Sequence, residues 1–450
     1  MAHPETAVER LQGLLRIPTV SRSAPEVADE SAFERFRALL AESYPLAHSR
    51  LELETVAGGT QLFRWSGRGE RAPSVLMAHY DVVPADEPGW RHPAFGAELV
   101  GDADGADGAD EQRVWGRGAI DDKGALVVIL EAVEEALADG YRPAGDVYLS
   151  FGHNEETAGD GAAAVVELLA SRGVRPALVL DEGGAVVEGV FPGVDGPIAV
   201  VGVSEKGIAG IELVVERPGG HAATPVRDGA TSRLARAILR LERHPARAAI
   251  PAPTMAMVRT LGAHARQPLG FFFRRAGVFR PLLTAVFARL GPETEAMVRT
   301  TRAVTRLSGS AGDNVIAERA TAMVNVRIAV GSSVAQAADD IRDAVNDPAV
   351  AVRVVYGSEP SAVSPSEGPA WQLLSEAIAD TFPGTIVTPY VMLQASDSRH
   401  FTRISDGVYR FLPFDLRASE RATLHAIDES IRVSTFLRGI AFYRRLLAVL

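Results

Sequence analysis

From Ser74 to Gly184 the chain passes repeatedly between strand-like and helix-like apolar patterns. "SVLMAHYDVV" from Ser74 is a buried strand with a polar exit, and "DKGALVVILEAVEEALADG" from Asp122 is a helix stopped by Gly140. "DVYLSFG" is a strand, "GAAAVVELLASRG" from Gly161 a helix, and "ALVLDEGG" from Ala177 a strand. This order predicts a mostly parallel mixed sheet flanked by helices, an α/β fold. In such sheets the chemistry gathers beyond the carboxyl ends of the strands.

The pattern changes after about Ser204. "GIAGIELVVERPG", "TAMVNVRIAV" from Thr321 and "VAVRVVYG" from Val350 read as strands, the first two with period-two alternation. The helices "DGATSRLARAILRLERH" from Asp228 and "SVAQAADDIRDAVND" from Ser333 stand between them. This predicts a smaller α+β unit with helices on one side of a ferredoxin-like sheet. "SEPSAVSPSEGPAW" from Ser358 is a Pro/Ser/Gly-rich boundary, and the chain then returns to helix and strand, ending in an amphipathic helix. With 450 residues, two or three domains of roughly 100–200 residues are expected. The reading is a large domain over 1–205 and 358–450, interrupted by an inserted unit over 206–357. An extra helical segment, about 261–300, sits inside the insertion as one or two short amphipathic helices with basic flanks.

Composition narrows the chemistry. The chain has no cysteine, so any metal must be held by His, Asp and Glu. The net charge of −11 argues against nucleic acid or an anionic membrane as the main partner. The N-terminus is an amphipathic helix pattern ending at Pro18, without the basic start and apolar core of a signal peptide. No run of 18 apolar residues occurs, so the cytoplasm is the expected location. The stretch "GDADGADGADEQ" from Gly101 reads as a solvated acidic loop, lacking the terminal glutamate of a calcium loop.

Four polar clusters stand at strand ends or turns. His79 and Asp81 close a strand and share a face. Asp121 and Asp122 follow the glycine-rich turn "WGRGAI". Glu155 and Glu156 follow "DVYLSFGHN", and Asp181 and Glu182 follow "LVL". Each alone is compatible with a cap, a turn or a solvated end. Together, so many acids would repel one another strongly unless cations neutralised them. A chain turn at "TAGDG" lets one glutamate bind metal while its neighbour takes a proton from water.

"MAHYDVVPAD", "WGRGAIDDKGAL", "FGHNEETAGDGA", "LDEGG", "GGHAATP" and "LHAIDESI" resemble the dinuclear zinc peptidases and deacylases. That family includes acetylornithine deacetylase, succinyl-diaminopimelate desuccinylase, aminoacylase, carnosinase and carboxypeptidase S. "FGHNEE", "LDEGG" and "ASDSRHF" are most similar to the carboxypeptidase S branch, which includes N-acyl amino acid hydrolases. The resemblance implies two divalent ions, zinc first, with manganese or cobalt as alternatives. It implies Asp121 as the bridge, His79 and Asp181 completing one site, and Glu156 and His425 the other. Glu155 would be the general base, with Asp81 orienting His79. In the inserted lid, His221 would stabilise the oxyanion, and Asn314 and Arg327 would bind the substrate's backbone groups and carboxylate. The resemblance also implies a cis bond between Asp121 and Asp122, and a homodimer through the lid. The segment after Leu261 and "NVIA" in place of "NVIP" depart from the family pattern.

The functional expectation is a metal-dependent hydrolase cleaving an amide beside a free carboxylate, as a carboxypeptidase or dipeptidase. The alternatives are an N-acyl amino acid deacylase and an inactive binding homologue. His153 and His400 read as structural. His3, His48, His92, His244 and His264 have no acidic company that would suggest a site.

Overall fold

A computed structural model describes residues 4–22, 28–86, 88–101, 111–191 and 193–450. His3 and most of the acidic stretch after Gly101 lie outside the described residues. The large sheet has eight strands. In spatial order they are Glu52–Val56, Thr60–Trp65, Val147–Gly152, Ser74–His79, Leu178–Val187, Val408–Asp415, Ile198–Glu205 and Ile386–Met392. The central strands Val147–Gly152, Ser74–His79, Leu178–Val187 and Val408–Asp415 run parallel. The strand Ser74–His79 is buried at every position, as the uniformly apolar run requires of a strand covered on both faces. The helix Lys123–Ala138 is buried along most of its length and shares a core with the C-terminal helix Val433–Val449. A separate cluster packs the helix Gly161–Ser171 on the other face.

The alternating strands Gly207–Glu216, Arg319–Ile328 and Ala351–Ser358 form a second sheet with Thr301–Ser308. Its spatial order is Thr301–Ser308, Arg319–Ile328, Gly207–Glu216, Ala351–Ser358, and all its pairings are antiparallel. On Arg319–Ile328 the residues Val324, Val326 and Ile328 are buried against the helices Ala230–Arg243 and Val334–Val345, which form their own core with the sheet. The strand Thr301–Ser308 was not anticipated. It is mostly polar and exposed, an edge strand with no buried face to reveal it.

The extra segment departs from expectation in extent and in place. It forms helices Ala252–His264, Leu269–Arg274, Arg280–Leu290 and Pro292–Ala296. Ile250, Met255, Val258, Leu261 and Leu283 belong to the core of the large sheet, not to that of the small one. Apolar side chains on its first helix thus bind the insertion back onto the large unit.

Candidate metal centre

His79 ends its strand with the ring buried. One ring nitrogen, Nδ1, lies 2.9 Å from the Asp81 carbonyl oxygen and 3.3 Å from Asp81 Oδ1. Nε2 lies 3.1 Å from Asp121 Oδ1. The other oxygen of Asp121, Oδ2, lies 3.0 Å from His425 Nε2, which is 3.2 Å from Glu156 Oε2. One carboxylate therefore faces two histidines brought from positions more than three hundred residues apart in sequence. Two groups of ligand atoms gather, each within 4.8 Å of one another: His79, Asp121 and Glu182, and Asp121, Glu156 and His425.

Asp181 is not in the first group. Its Oδ2 accepts from the Ser398 N–H at 2.8 Å, while Glu182 Oε1 lies 3.7 Å from His79 Nε2. Neighbouring side chains on a strand point to opposite sides, so only one of this pair can meet His79. The ladder between Leu178–Val187 and Val408–Asp415 shifts register just past Asp181. Gly183 takes φ 134°, and a Cβ on Gly184 would lie 1.8 Å from the Val200 carbonyl oxygen. Only glycine fits there, and this crowded irregularity within the strand is what "LDEGG" encodes.

Asp81 does two jobs. Besides meeting His79, its Oδ1 and Oδ2 accept the Glu155 and Glu156 N–H groups, each at 3.1 Å. It thus pins the turn after Gly152 to the end of the neighbouring strand, with both glutamates directed off the strand path. The Asp121–Asp122 peptide bond is cis. Behind it, the buried Glu429 accepts from Ile120 N at 2.8 Å, Asp121 N at 3.1 Å and Arg117 Nη1 at 2.7 Å. Glu429 lies within the "LHAIDESI" stretch, but its backbone partners are invisible in sequence. Asp397, from "ASDSRHF", is also buried against the centre; burial, then Asp181 and Asp81, push its pKa up to about 8.

The electrostatics fit bound cations. Burial first, then Asp397, Glu156 and Asp121, push the Glu155 carboxyl well up. Burial and Asp121 do the same to Glu182. Hydrogen bonds to Asp121 and Glu156 push His425 up to about 10. Glu156 Oε1 and Asp122 Oδ1 are buried without a hydrogen-bond partner. Orphaned carboxylate oxygens among oxygen and imidazole donors are what divalent ions satisfy.

The insertion residues stand apart from this centre. His221 is exposed on a two-residue strand, and its Nδ1 accepts from Ala223 N at 3.0 Å within its own loop. Asn314 is exposed beside it, its carbonyl accepting from Ala222 N at 3.0 Å. Arg327 is half-buried. Burial lowers its pKa, with Arg399 adding to the effect against the pull of Tyr356. Among the described residues no carboxylate pairs with it. Arg410 is fully buried and donates to Glu205 at 2.6 Å and to the Val408 carbonyl at 3.1 Å, which commits it elsewhere. His153 meets Thr60 Oγ1 at 2.9 Å. His92, contrary to its sequence context, pairs with Glu98 at 2.7 Å on the surface.

Beside the centre lies a cavity of about 560 Å³, within the range of small-molecule pockets. Gly183 and Gly184 form one wall, and Leu424, the neighbour of His425, another. The remainder is mostly apolar, from Val258, Leu261, Phe273 and Phe287 of the extra segment to Met392 and Leu412 of the large sheet. No sequence motif marks it, because its lining is drawn from separate, individually unremarkable apolar positions.

The model of Peptidase family M20/M25/M40 matches residues 75–449. The chain is 32% identical over 453 residues to the probable carboxypeptidase S-like 2 of Dictyostelium discoideum, covering 98% of this chain and 84% of that one. It is 34% identical over 450 residues to the N-fatty-acyl-amino acid synthase/hydrolase PM20D1 of Xenopus tropicalis, covering 98% and 85%. Among solved structures, the M20 family metallo-carboxypeptidase Sso-CP2 from Sulfolobus solfataricus matches with a TM-score of 0.67 at 16% identity, over 98% of each chain. The chain therefore belongs to peptidase family M20/M25/M40.

Proposed function

We propose that this chain hydrolyses the amide bond of N-acyl amino acids with a long apolar acyl chain. The observation that carries this reading is the apolar cavity whose lining includes Gly183, next in the chain to Glu182, and Leu424, next to His425. A dipeptide offers little to fill it. The name of the Xenopus tropicalis relative supports the same substrate class, and a carboxypeptidase or dipeptidase activity is the competing reading.

Two divalent cations, zinc first, would be held by His79, Asp121 and Glu182 and by Asp121, Glu156 and His425, with Asp121 as the bridge. Glu182 takes the place the resemblance gave to Asp181. When bound, the ions supply Lewis acidity that acidifies water and polarises a carbonyl. Glu155 takes the proton from the attacking water and returns it to the leaving amine nitrogen. Asp81 holds His79 in one orientation through Nδ1. Arg327, without an acidic partner, binds the carboxylate of the amino acid product. His221 and Asn314 reach the scissile carbonyl when the small unit closes or when a second copy presents its insertion, and a homodimer through that unit is part of this reading.

The test offers the metal-loaded enzyme an N-palmitoyl amino acid, the matching carboxamide and a dipeptide with the same leaving amino acid. The N-palmitoyl acid should be the best substrate and the carboxamide should be much poorer. A preference for the dipeptide would overturn the acyl reading, and equal rates on acid and amide would remove Arg327.

A further inference from the structure

The helix Arg280–Leu290 buries Leu283 and Phe287 against the large unit. Its outer side is not polar. Val278, Leu282, Val286 and Leu290 are 78%, 53%, 43% and 60% exposed. Leu282, Val286 and Leu290 recur every four residues and so form one stripe along the helix, and Val278 is exposed in the turn just before it. Phe271 is exposed as well, with the Arg275 guanidinium stacked over its ring at 4.3 Å. Leu282, Val286 and Leu290 also line the apolar cavity, which therefore opens along this stripe.

Charge tells what covers it. The whole chain is acidic, at −11, yet residues 252–291 contain six arginines and no Asp or Glu. All six, Arg259, Arg266, Arg274, Arg275, Arg280 and Arg289, are exposed. Among the described residues only Arg266 meets a carboxylate, Asp195, and both are at the surface. A second copy docked two-fold on this face would set these arginines against themselves. Among the described residues no helix is long and apolar enough to cross a membrane, so the face suits lying on a bilayer rather than spanning it. An exposed apolar stripe on a segment whose charged residues are all arginines is the pattern of an interfacial anchor on anionic lipid.

We propose that the segment 252–291 docks on an anionic lipid surface, with Val278 and the stripe of Leu282, Val286 and Leu290 among the headgroups and the arginines on their phosphates. This seats the mouth of the cavity on the membrane, where long-chain amphiphiles partition. This proposal departs from the expectation drawn from net charge, that no membrane is a partner, because the charge of this segment opposes that of the chain. The inference stands on the stripe and the arginines; the acyl-substrate reading only supplies its use.

Vesicle flotation tests it without turnover, so its failure is distinguishable from failure of the acyl reading. The full chain is mixed with vesicles of phosphatidylcholine alone or with about a third phosphatidylserine. It should float with the anionic vesicles, weakly with the neutral ones, and lose roughly tenfold in partitioning as salt screens the arginines. Val278→Asp, and separately the pair Arg275→Gln and Arg289→Gln, should each reduce flotation roughly tenfold. Circular dichroism and thermal unfolding check that these exposed-site variants fold. A wild type that stays unbound on anionic vesicles overturns the proposal, as does a Val278→Asp variant that floats as well as wild type. So does a chain that ignores vesicles but sediments as a dimer that Val278→Asp dissociates; a second copy then covers the stripe.

Discussion

Within three residues, Glu182 to Gly184, the chain passes from a pocket of buried carboxylates to the wall of an apolar cavity. The two regions are held together in different ways. The carboxylate side depends on single atoms at fixed positions: Asp121 divides its two oxygens between two histidines, and Asp81 divides its own between two backbone N–H groups. The apolar side depends on volume, spread over many side chains, none of which is individually required. Single changes on the polar side should therefore cost orders of magnitude, and those on the apolar side should be graded and substrate-dependent.

The largest effect is expected at Glu155. Glu155→Gln should keep the fold and the metals and lose roughly 10²–10⁴-fold in kcat; turnover near that of wild type, with metals still bound, would break the comparison at its root. Next come the ligands. Glu182→Gln and His425→Ala should each lower metal content toward one ion per chain, while Asp181→Asn should retain two. Elemental analysis of the purified variants decides this, and the reverse order for Asp181 and Glu182 would restore the assignment implied by the resemblance.

On the apolar side, Leu393→Trp narrows a partly exposed stretch of the cavity wall. It should lower kcat/KM for a long acyl chain about ten- to a hundredfold, the worth of two or three buried methylenes at ~0.8 kcal/mol each, and leave an acetyl substrate unaffected. Equal losses on both substrates would mean that the residue acts on the centre itself.

The smallest effect concerns the connection between the two sheets. The buried Lys206 ammonium donates to the carbonyls of Ala296 at 3.0 Å and Arg299 at 2.9 Å. Burial first, then the charge of Arg327, pulls its pKa down to about 8 from 10.5. Between those values the unfolded chain binds more protons than the folded one, so stability rises with pH across the window. The cost of charging this amine is fully present below pH 8 and is relieved as pH passes 10.5. The stability difference between wild type and Lys206→Met should accordingly move in favour of wild type from pH 8 to 10.5. A difference that stays flat in thermal unfolding would show that the amine titrates normally.

The same contrast explains what was legible in the sequence. His425, and the role of each residue, came from the resemblance, whereas the clusters with His79, Asp121, Glu155 and Glu156 stand just past strands or turns whose pattern is local and could be found that way. The choice between Asp181 and Glu182 could not, since a register shift decides which side each faces. Glu429 escaped because its work is to accept backbone N–H groups from a segment more than three hundred residues away. Of the sheets, the strands around Ser74, Val147, Leu178, Gly207, Thr321 and Val350 were legible, whereas the buried strands Thr60–Trp65, Ile198–Glu205 and Val408–Asp415 were not read. The edge strand Thr301–Ser308 was not legible, because it has no buried face. Of the four helices after Pro251 the sequence showed one or two, from about residue 261, and their packing on the large sheet depends on which side of the insertion they fold back across.

The most direct measurement is kcat/KM across a series of N-acyl derivatives of one amino acid, from acetyl to stearoyl, beside dipeptides with the same leaving amino acid. A cavity that takes the acyl chain predicts a rise of about threefold or more per added methylene, at ~0.8 kcal/mol each, levelling when the cavity is full. All long-chain members should exceed the dipeptides. A flat series, or one in which a dipeptide outperforms every acyl chain, would contradict the assignment of the cavity to substrate.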